Sequence, residues 1–355
     1  MSNKGQNSFD FFEHKDVRDV SKRVLITGGF GFIGTNLIKY LINKYPNYKI
    51  INFDKLTYAA NYSNLAEFKN SFNYISVIGD IADSKDVKNV FEEYNPEFVI
   101  NLAAESNEDK SILNPDVSIQ TNILGTQKLL NYARENNVEK FVHASSYSVY
   151  GTTKHRNKET DALNPNTQFA AGKASADFLV RVAYESYGQR VNIIRSSNNY
   201  GRFQFPDKFI PAMILNALDN QELPVHGDGK NIRDWLHIDD HCRAIDLVLH
   251  KGRPGEIYNV ASNKELENID LVEYILDKLN CSKNLVRFIL NHPEYDQKYS
   301  VDISKIRNEL GWVPKIKFET GIEQTIDWYK DNSEWISEIA SGEYLKNFKF
   351  QEKVR

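Results

Sequence analysis

Cysteine is scarce: the 355 residues hold two, Cys242 and Cys281, far apart, outside any CxxC and with no histidine pair at ligand spacing. That pattern supports neither a disulfide framework nor a zinc site, and no metal is expected; reduced, intracellular thiols fit it. Long hydrophobic runs are missing, and the early stretch FDFFEHKDVRD is too charged for a signal peptide or a membrane span. A strong excess of one charge is missing too, since 44 Lys and Arg against 48 Asp and Glu leave a net charge of −4. This balance argues against nucleic acid or an acidic membrane as partner and leaves room for a local basic pocket around a phosphate. Internal repeats and low-complexity tracts are also absent. The expectation is a cytoplasmic globular chain, long enough for two domains or one elaborated one.

What is present begins after a charged arm, residues 1–21. Residues 23–27 (RVLIT) are a β-branched run, followed at once by GGFGFIG (28–34) and the helical pattern TNLIKYLINKY. Strand, glycine-rich turn and helix in that order make a dinucleotide site. Gly28, Gly31 and Gly34 permit a tight turn, close approach of a pyrophosphate and close helix packing, with Phe32 and Ile33 in the first helical turn. The next strand, KIINFD, ends in Asp54, about twenty residues past Gly34, where a carboxylate binds a ribose and disfavours a 2′-phosphate. NAD is therefore preferred to NADP, with Lys55 next door able to soften the preference.

Further runs alternate with helical patterns: YISVIGDI (74–81), FVINLAAE (98–105), FVHASS (141–146) and VNIIRSS (191–197). Near-continuous apolar strands between helices predict an α/β fold, a Rossmann-type doubly wound parallel sheet whose ligands gather at the C-terminal strand ends. Asp80 and Ile81, Ala103 and Ala104 with Glu105, and residues 145–148 and 196–199 fall at such ends. The expected division is a Rossmann domain over 22–199 and a smaller α/β substrate lobe over 200–355, with a strand near 256–262 returning to the main sheet.

Phe169 and Lys173, in FAAGK, sit four residues apart, so on a helix both leave the same face. The lysine is ionisable and the phenyl ring is not; it does no acid or base work at any pH.

The succession TGGFGFIG, DKLTYAAN, NLAAESNEDKSI, SVYG, FAAGK, RSSNNYGRFQFPDKFIP, GDGKNIRDWLHIDDHCRAIDLVL, GRPGEIYNV and ELGWVPK resembles the extended short-chain dehydrogenase/reductases over about 22–330. Within them it is most similar to the dTDP-glucose 4,6-dehydratases and related nucleotide-sugar epimerases. The resemblance implies tightly held NAD, a nucleoside-diphosphate sugar in the second lobe, and a homodimer built on helices near 116–136 and 170–187. It implies oxidation at sugar C4, with the tyrosine of a YxxxK element taking the hydroxyl proton. An acid and a base in a TDE triplet then carry out dehydration.

This chain departs from that pattern where the chemistry lies. Phe169 replaces the tyrosine, a change that both deliberate inactivation and drift would produce. Ser146, Tyr147 and Ser148 replace the triplet. Ser146 keeps a hydroxyl for the substrate, as the serine of C4 epimerases does, and Ser148 cannot act as a base near neutral pH. Tyr147 is read first as filling the acid's volume and second as a proton donor. Lys173 keeps its implied hold on the nicotinamide ribose. Arg233 matches a diphosphate clamp, which suits a guanidinium fork. Asn199, Lys208 and Asn259 match positions of the nucleotide site, whereas His226, His292 and Tyr295 replace a tyrosine, an arginine and a histidine there, and Asn107 replaces a histidine near the sugar. The expected function is NAD-dependent modification of a nucleotide sugar through a 4-keto intermediate. C4 epimerisation and a silent NAD- and sugar-binding protein stand as alternatives, and dehydration survives if Glu105 or Asp109 supplies the acid and base.

Overall fold

The computed structural model describes residues 21–107, 111, 113–290, 297–342 and 344. Its main sheet has seven strands. They are β1 (Lys22–Thr27), β2 (Tyr48–Asp54), β3 (Tyr74–Ile78), β4 (Phe98–Asn101), β5 (Lys140–Ser146), β6 (Val191–Ser196) and, from far along the chain, β10 (Ile257–Val260). Every pairing is parallel and the order is β10-β6-β5-β4-β1-β2-β3, so the chain reverses direction across the sheet between β1 and β4. The expected doubly wound parallel sheet is what forms.

The pleat explains why these strands are apolar throughout. Val24, Ile26, Ile50, Ile100, Val142 and Ile194 enter one core, and their chain neighbours Leu25, Ile51, Val99, Phe141 and Ile193 enter another on the opposite face. Helices α1 (Phe32–Lys44) and α6 (Ile238–Lys251) cover the first face. The second is covered by α2 (Ser84–Tyr94), α3 and α4 (Gln168–Tyr187). The helix α3 starts as Pro115–Ser118, passes through a π-helical stretch, Ile119–Gly125, and continues as Thr126–Glu135. A π turn inside a helix changes the direction in which its side chains leave, and it is common at functional sites.

The remaining elements build a second lobe around a third core that includes Ile210, Ile214, Val225, Trp235, Leu271, Ile275 and Ile322. Here β7 (Asn198–Tyr200) pairs with β9 (Ile232–His237), which also pairs with β11 (Glu265–Glu267), while β8 (Leu223–His226) pairs with β12 (Val286–Ile289). Packed on them are α5 (Phe209–Leu218), α7 (Asn268–Leu279) and α9 (Phe318–Asp331). The chain crosses between lobes more than once. It enters the second at β7, returns through α6 and β10, and returns again through α8 (Ser304–Leu310), which packs on α6 and β10. A functional cleft thus has walls from distant parts of the sequence.

Candidate active site

A cavity of about 530 Å³ lies between the lobes, over the C-terminal ends of the sheet strands. That is the place at which open α/β sheets take their ligands.

At one end the wall is the turn between β1 and α1. Gly28 has φ +71, and a Cβ there would come within 2.9 Å of the Ala103 backbone. At Gly34 a Cβ would lie 2.3 Å from the Gly28 carbonyl oxygen, which locks the helix start against the turn. Gly28, Gly31, Phe32, Ile33 and Gly34 all line the cavity, as do Asp54, Asp80, Ile81, Ala103 and Ala104. Asp54 ends β2, and both of its oxygens accept backbone amides, Oδ2 from Phe30 at 2.9 Å and Oδ1 from Leu56 at 2.7 Å. Burial pushes its carboxyl up and those two bonds oppose the rise. Each oxygen keeps a second lone pair for a ribose hydroxyl. Lys55 pairs with Asp80 at 2.7 Å, which occupies the nearby cation that a 2′-phosphate would need. The glycine cradle and the carboxylate together fit an adenine dinucleotide with a free ribose diol.

The middle of the cavity gathers Ser146, Tyr147, Ser148, Phe169 and Lys173. Ser146 closes β5 and accepts the Ser148 N–H at 3.1 Å, so it caps the short turn Tyr147–Tyr150, and the Ser146 and Ser148 hydroxyls are hydrogen-bonded to each other at 2.8 Å. Tyr147 is 2% exposed and its ring leans on Tyr299 with centroids 5.0 Å apart. Helix α4 opens on a Thr167 cap that accepts the Ala170 N–H at 3.1 Å, which places Phe169 and Lys173 one turn apart on the cavity side. Lys173 Nζ donates to the Ala144 carbonyl at 2.7 Å. Burial lowers its pKa to about 8, with Asp177 opposing. The arrangement offers a hydroxyl and an ammonium to a bound alcohol, with no carboxylate in the turn and no phenol at Phe169.

The far wall comes from the second lobe and the loops facing it. Glu105, Asn199, Lys208 and Arg233 line it, and Arg233 lies over the Tyr299 ring at 4.5 Å. Asn259 is not in the wall. It is fully buried, its Oδ1 accepts the Tyr150 hydroxyl proton at 2.9 Å and its Nδ2 donates to Asn157 O at 3.0 Å, so both ends of the amide serve the core. His226 ends β8, which pairs with β12, and its ring lies beside the Leu290 carbonyl at 3.2 Å; among the described residues it does not line the cavity. His292, Tyr295 and Asp109 lie outside the described residues.

Three contributors escape a reading of the sequence. Asn122, in the π turn of α3, accepts the Glu105 N–H at 2.9 Å and donates to the Glu105 carbonyl at 3.2 Å, fixing that loop residue. Asp207 accepts from Tyr58 and Asn107, both at 3.0 Å, joining three loops across the mouth of the cavity. His241, buried in the first turn of α6, reaches the wall, and burial lowers its pKa to about 4. An asparagine inside a helical pattern was the one available signal, since it is a poor helix former. Among the described residues no group of three His, Cys, Asp or Glu side chains is placed to hold a metal ion, and no helix is long and apolar enough to cross a membrane.

Comparison with known proteins agrees with this geometry. The family model described as GDP-mannose 4,6 dehydratase matches residues 25–325. A dTDP-glucose 4,6-dehydratase of Salmonella typhimurium is 39% identical over 349 residues, covering 91% of this chain and 96% of its own. Among solved structures, the dTDP-glucose 4,6-dehydratase DesIV of Streptomyces venezuelae, with NAD and TYD bound, superposes with a TM-score of 0.85 at 40% identity, covering 88% of this chain and 98% of its own. The dTDP-glucose 4,6-dehydratase of Bacillus anthracis in complex with NAD gives 0.83 at 40% identity, covering 89% and 98%. A glycine cradle, a carboxylate closing β2 and a buried lysine at the ends of a parallel sheet, together with these similarities, mean that the chain belongs to the GDP-mannose 4,6 dehydratase family, NAD-dependent enzymes of the nucleotide-sugar dehydratase and epimerase type.

Proposed function

We propose that the chain holds NAD and a nucleoside-diphosphate hexose together in this cleft and acts on the sugar through C4. In this reading Gly28, Gly31, Phe32, Ile33 and Gly34 take the pyrophosphate and Asp54 the adenosine ribose. Asp80, Ile81, Ala103 and Ala104 line the rest of the dinucleotide path, and Lys173 holds the nicotinamide ribose. Arg233 and Lys208 face the diphosphate, and Glu105, Ser146 and Asn199 the sugar. Bound NAD would supply the hydride acceptor for C4 oxidation. The carrying observation is that Lys173 and Ser146 remain in one wall while position 169 lacks the phenol, and Tyr147 and Ser148 lack the carboxylates, that the dehydratase pattern uses. Losing such an acid or base group slows a step by about 10²–10⁴. With a tyrosine at 169 the chemistry left is therefore the C4 redox step without dehydration, and with Phe169 as it stands a silent binding protein is the second reading. The lobes are proposed to divide the work, dinucleotide on the sheet and sugar nucleotide on the second lobe. A homodimer through α3 and α4 is supported by the apolar side chains they expose, Val117, Ile119 and Leu124 on one and Phe178, Val182 and Tyr187 on the other.

The test is Phe169→Tyr, incubated with UDP, dTDP, GDP and CDP sugars and followed by absorbance of reduced NAD and by product mass. Transient NAD reduction, with a product of unchanged mass and altered configuration, is expected. Loss of one water would instead assign the acid and base to other groups such as Glu105. Retained NAD with neither reduction nor product, for every sugar, sinks the catalytic reading and leaves the binding protein.

A further inference from the structure

Beneath the wall that holds Lys173 lies a cluster of buried ionisable groups that the ligand contacts do not use. Asp177 follows Lys173 by one turn of α4 and is 0% exposed; His143 on β5 and Arg195 on β6 are also buried. Arg195 Nε donates to Asp177 Oδ2 at 2.8 Å, and Arg195 Nη1 donates to the Tyr150 hydroxyl at 2.7 Å.

The tautomer of His143 follows from its neighbours. The Thr27 hydroxyl accepts the N–H groups of Leu102 and Ala103, so its own proton goes to Asn101 Oδ1, 2.7 Å away. That orients the Asn101 amide, whose NH₂ faces Thr126 Oγ1 at 3.1 Å and His143 Nδ1 at 3.2 Å. Nδ1 is therefore the acceptor, and the proton of a neutral ring sits on Nε2, which faces Asp177 Oδ1 at 4.0 Å. Burial, then the charge of Lys173, holds His143 well below its usual pKa, so it stays neutral.

The charges around Asp177 are thus few. Lys173 comes from its own helix, His143 from β5, Arg195 from β6, Tyr150 from the turn after β5, and Glu159 presents a backbone carbonyl to Arg195 at 3.4 Å. A second cavity, of about 700 Å³, reaches Asp177 and Arg195 from the outer side. A buried ammonium is disfavoured unless an anion offsets its lost hydration. Asp177 is the carboxylate placed to do so: burial pushes its pKa up, and the Arg195 guanidinium foremost, with Lys173, opposes that rise.

We propose that Asp177 is a positioning residue for Lys173: its carboxylate, one helical turn from the lysine, fixed by Arg195 and facing the neutral Nε2–H of His143, keeps the lysine charged where the Ala144 carbonyl holds it at the cleft. The functional value of this rests on the cofactor role given to Lys173 above, whereas the ionisation is read without any turnover. One carboxylate thereby serves the task that a solvated lysine leaves to water.

The test is an NMR titration of isotope-labelled lysine in the full chain, with the Lys173 signal assigned by its loss in Lys173→Arg. The wild-type midpoint is expected near 8. Asp177→Asn should lower it by about one unit or more, a tenfold change in the dissociation constant. Arg195→Gln, which removes a like charge and leaves the Asp177–Lys173 pair balanced, should move it up. A purely structural role would lower the melting temperature in both variants and leave both midpoints alone. An unmoved midpoint in Asp177→Asn overturns the proposal, and, should that variant not fold, an unmoved or lowered midpoint in Arg195→Gln does the same.

Discussion

Asp54, proposed as the ribose acceptor, has a second task in the structure that Asp54→Asn would expose. Its two oxygens tie the glycine turn at Phe30 to the loop after β2 at Leu56. Leu56 has φ +60, an unfavourable region for a residue with a side chain, so that loop needs the bond. An asparagine has one acceptor. Its NH₂ would face an N–H, leaving one buried donor unpaired, at about 1–3 kcal/mol, and losing charge assistance on the other bond. Relief of burying a carboxylate, which already drives the Asp54 pKa up, returns part of this. The net expectation is about 2 kcal/mol, roughly thirtyfold in the folded-to-unfolded ratio. Urea unfolding of NAD-free protein reads this loss, and calorimetric titration with NAD should show affinity at least about tenfold weaker, because turn and ribose contact fail together. An Asp54→Asn protein with the wild-type urea midpoint would refute the brace, even if its NAD affinity fell.

Asp246 on α6 gathers Lys44 at 2.5 Å, the Tyr40 and Tyr45 hydroxyls at 3.0 Å each and His250 at 2.9 Å, pinning α1 to α6 over the sheet. Burial raises its pKa, but these partners outweigh burial and hold it at about 2, against an ordinary 3.8. That contribution, about 2 kcal/mol, is present above pH 3.8 and is lost as pH falls toward 2. The stability gap between wild type and Asp246→Asn, by chemical unfolding, should therefore be widest near neutral pH and narrow below pH 4; a gap independent of pH would contradict it. Light scattering should give twice the chain mass for the wild type, and the double variant Phe178→Glu/Val182→Glu should run as a monomer, since four charges would enter one symmetric apolar contact. A wild-type monomer would remove the dimer proposal.

Local order carried much of the fold. The β-branched runs, the glycine turn and the alternation of strand and helix set the parallel sheet, because each depends on neighbours within a few residues. Residues at strand ends were placed in the cleft for the same reason, as Asp54, Asp80, Ala103 and Ser146 show. For Asn259 the sequence marks a place on β10 but not which way the amide is used. The core claims both its ends through Tyr150 and Asn157. The same held for His226, whose strand turns to β12. Beyond an asparagine within a helical pattern, nothing local announced Asn122 gripping Glu105, or Asp207 joining three loops, since those partners lie 17 to 149 residues away.

By itself the sequence determined the sheet, the dinucleotide turn and the absence of a phenol at 169 and of carboxylates at 146–148, because backbone propensity and side-chain chemistry are local. Tertiary structure alone decided that Lys173 is buried against Ala144, that Asp177 and Arg195 pair behind it, and that Asn101 fixes the His143 ring. Ionisation depends on burial and on charges brought close from other strands, and spacing along a chain encodes neither.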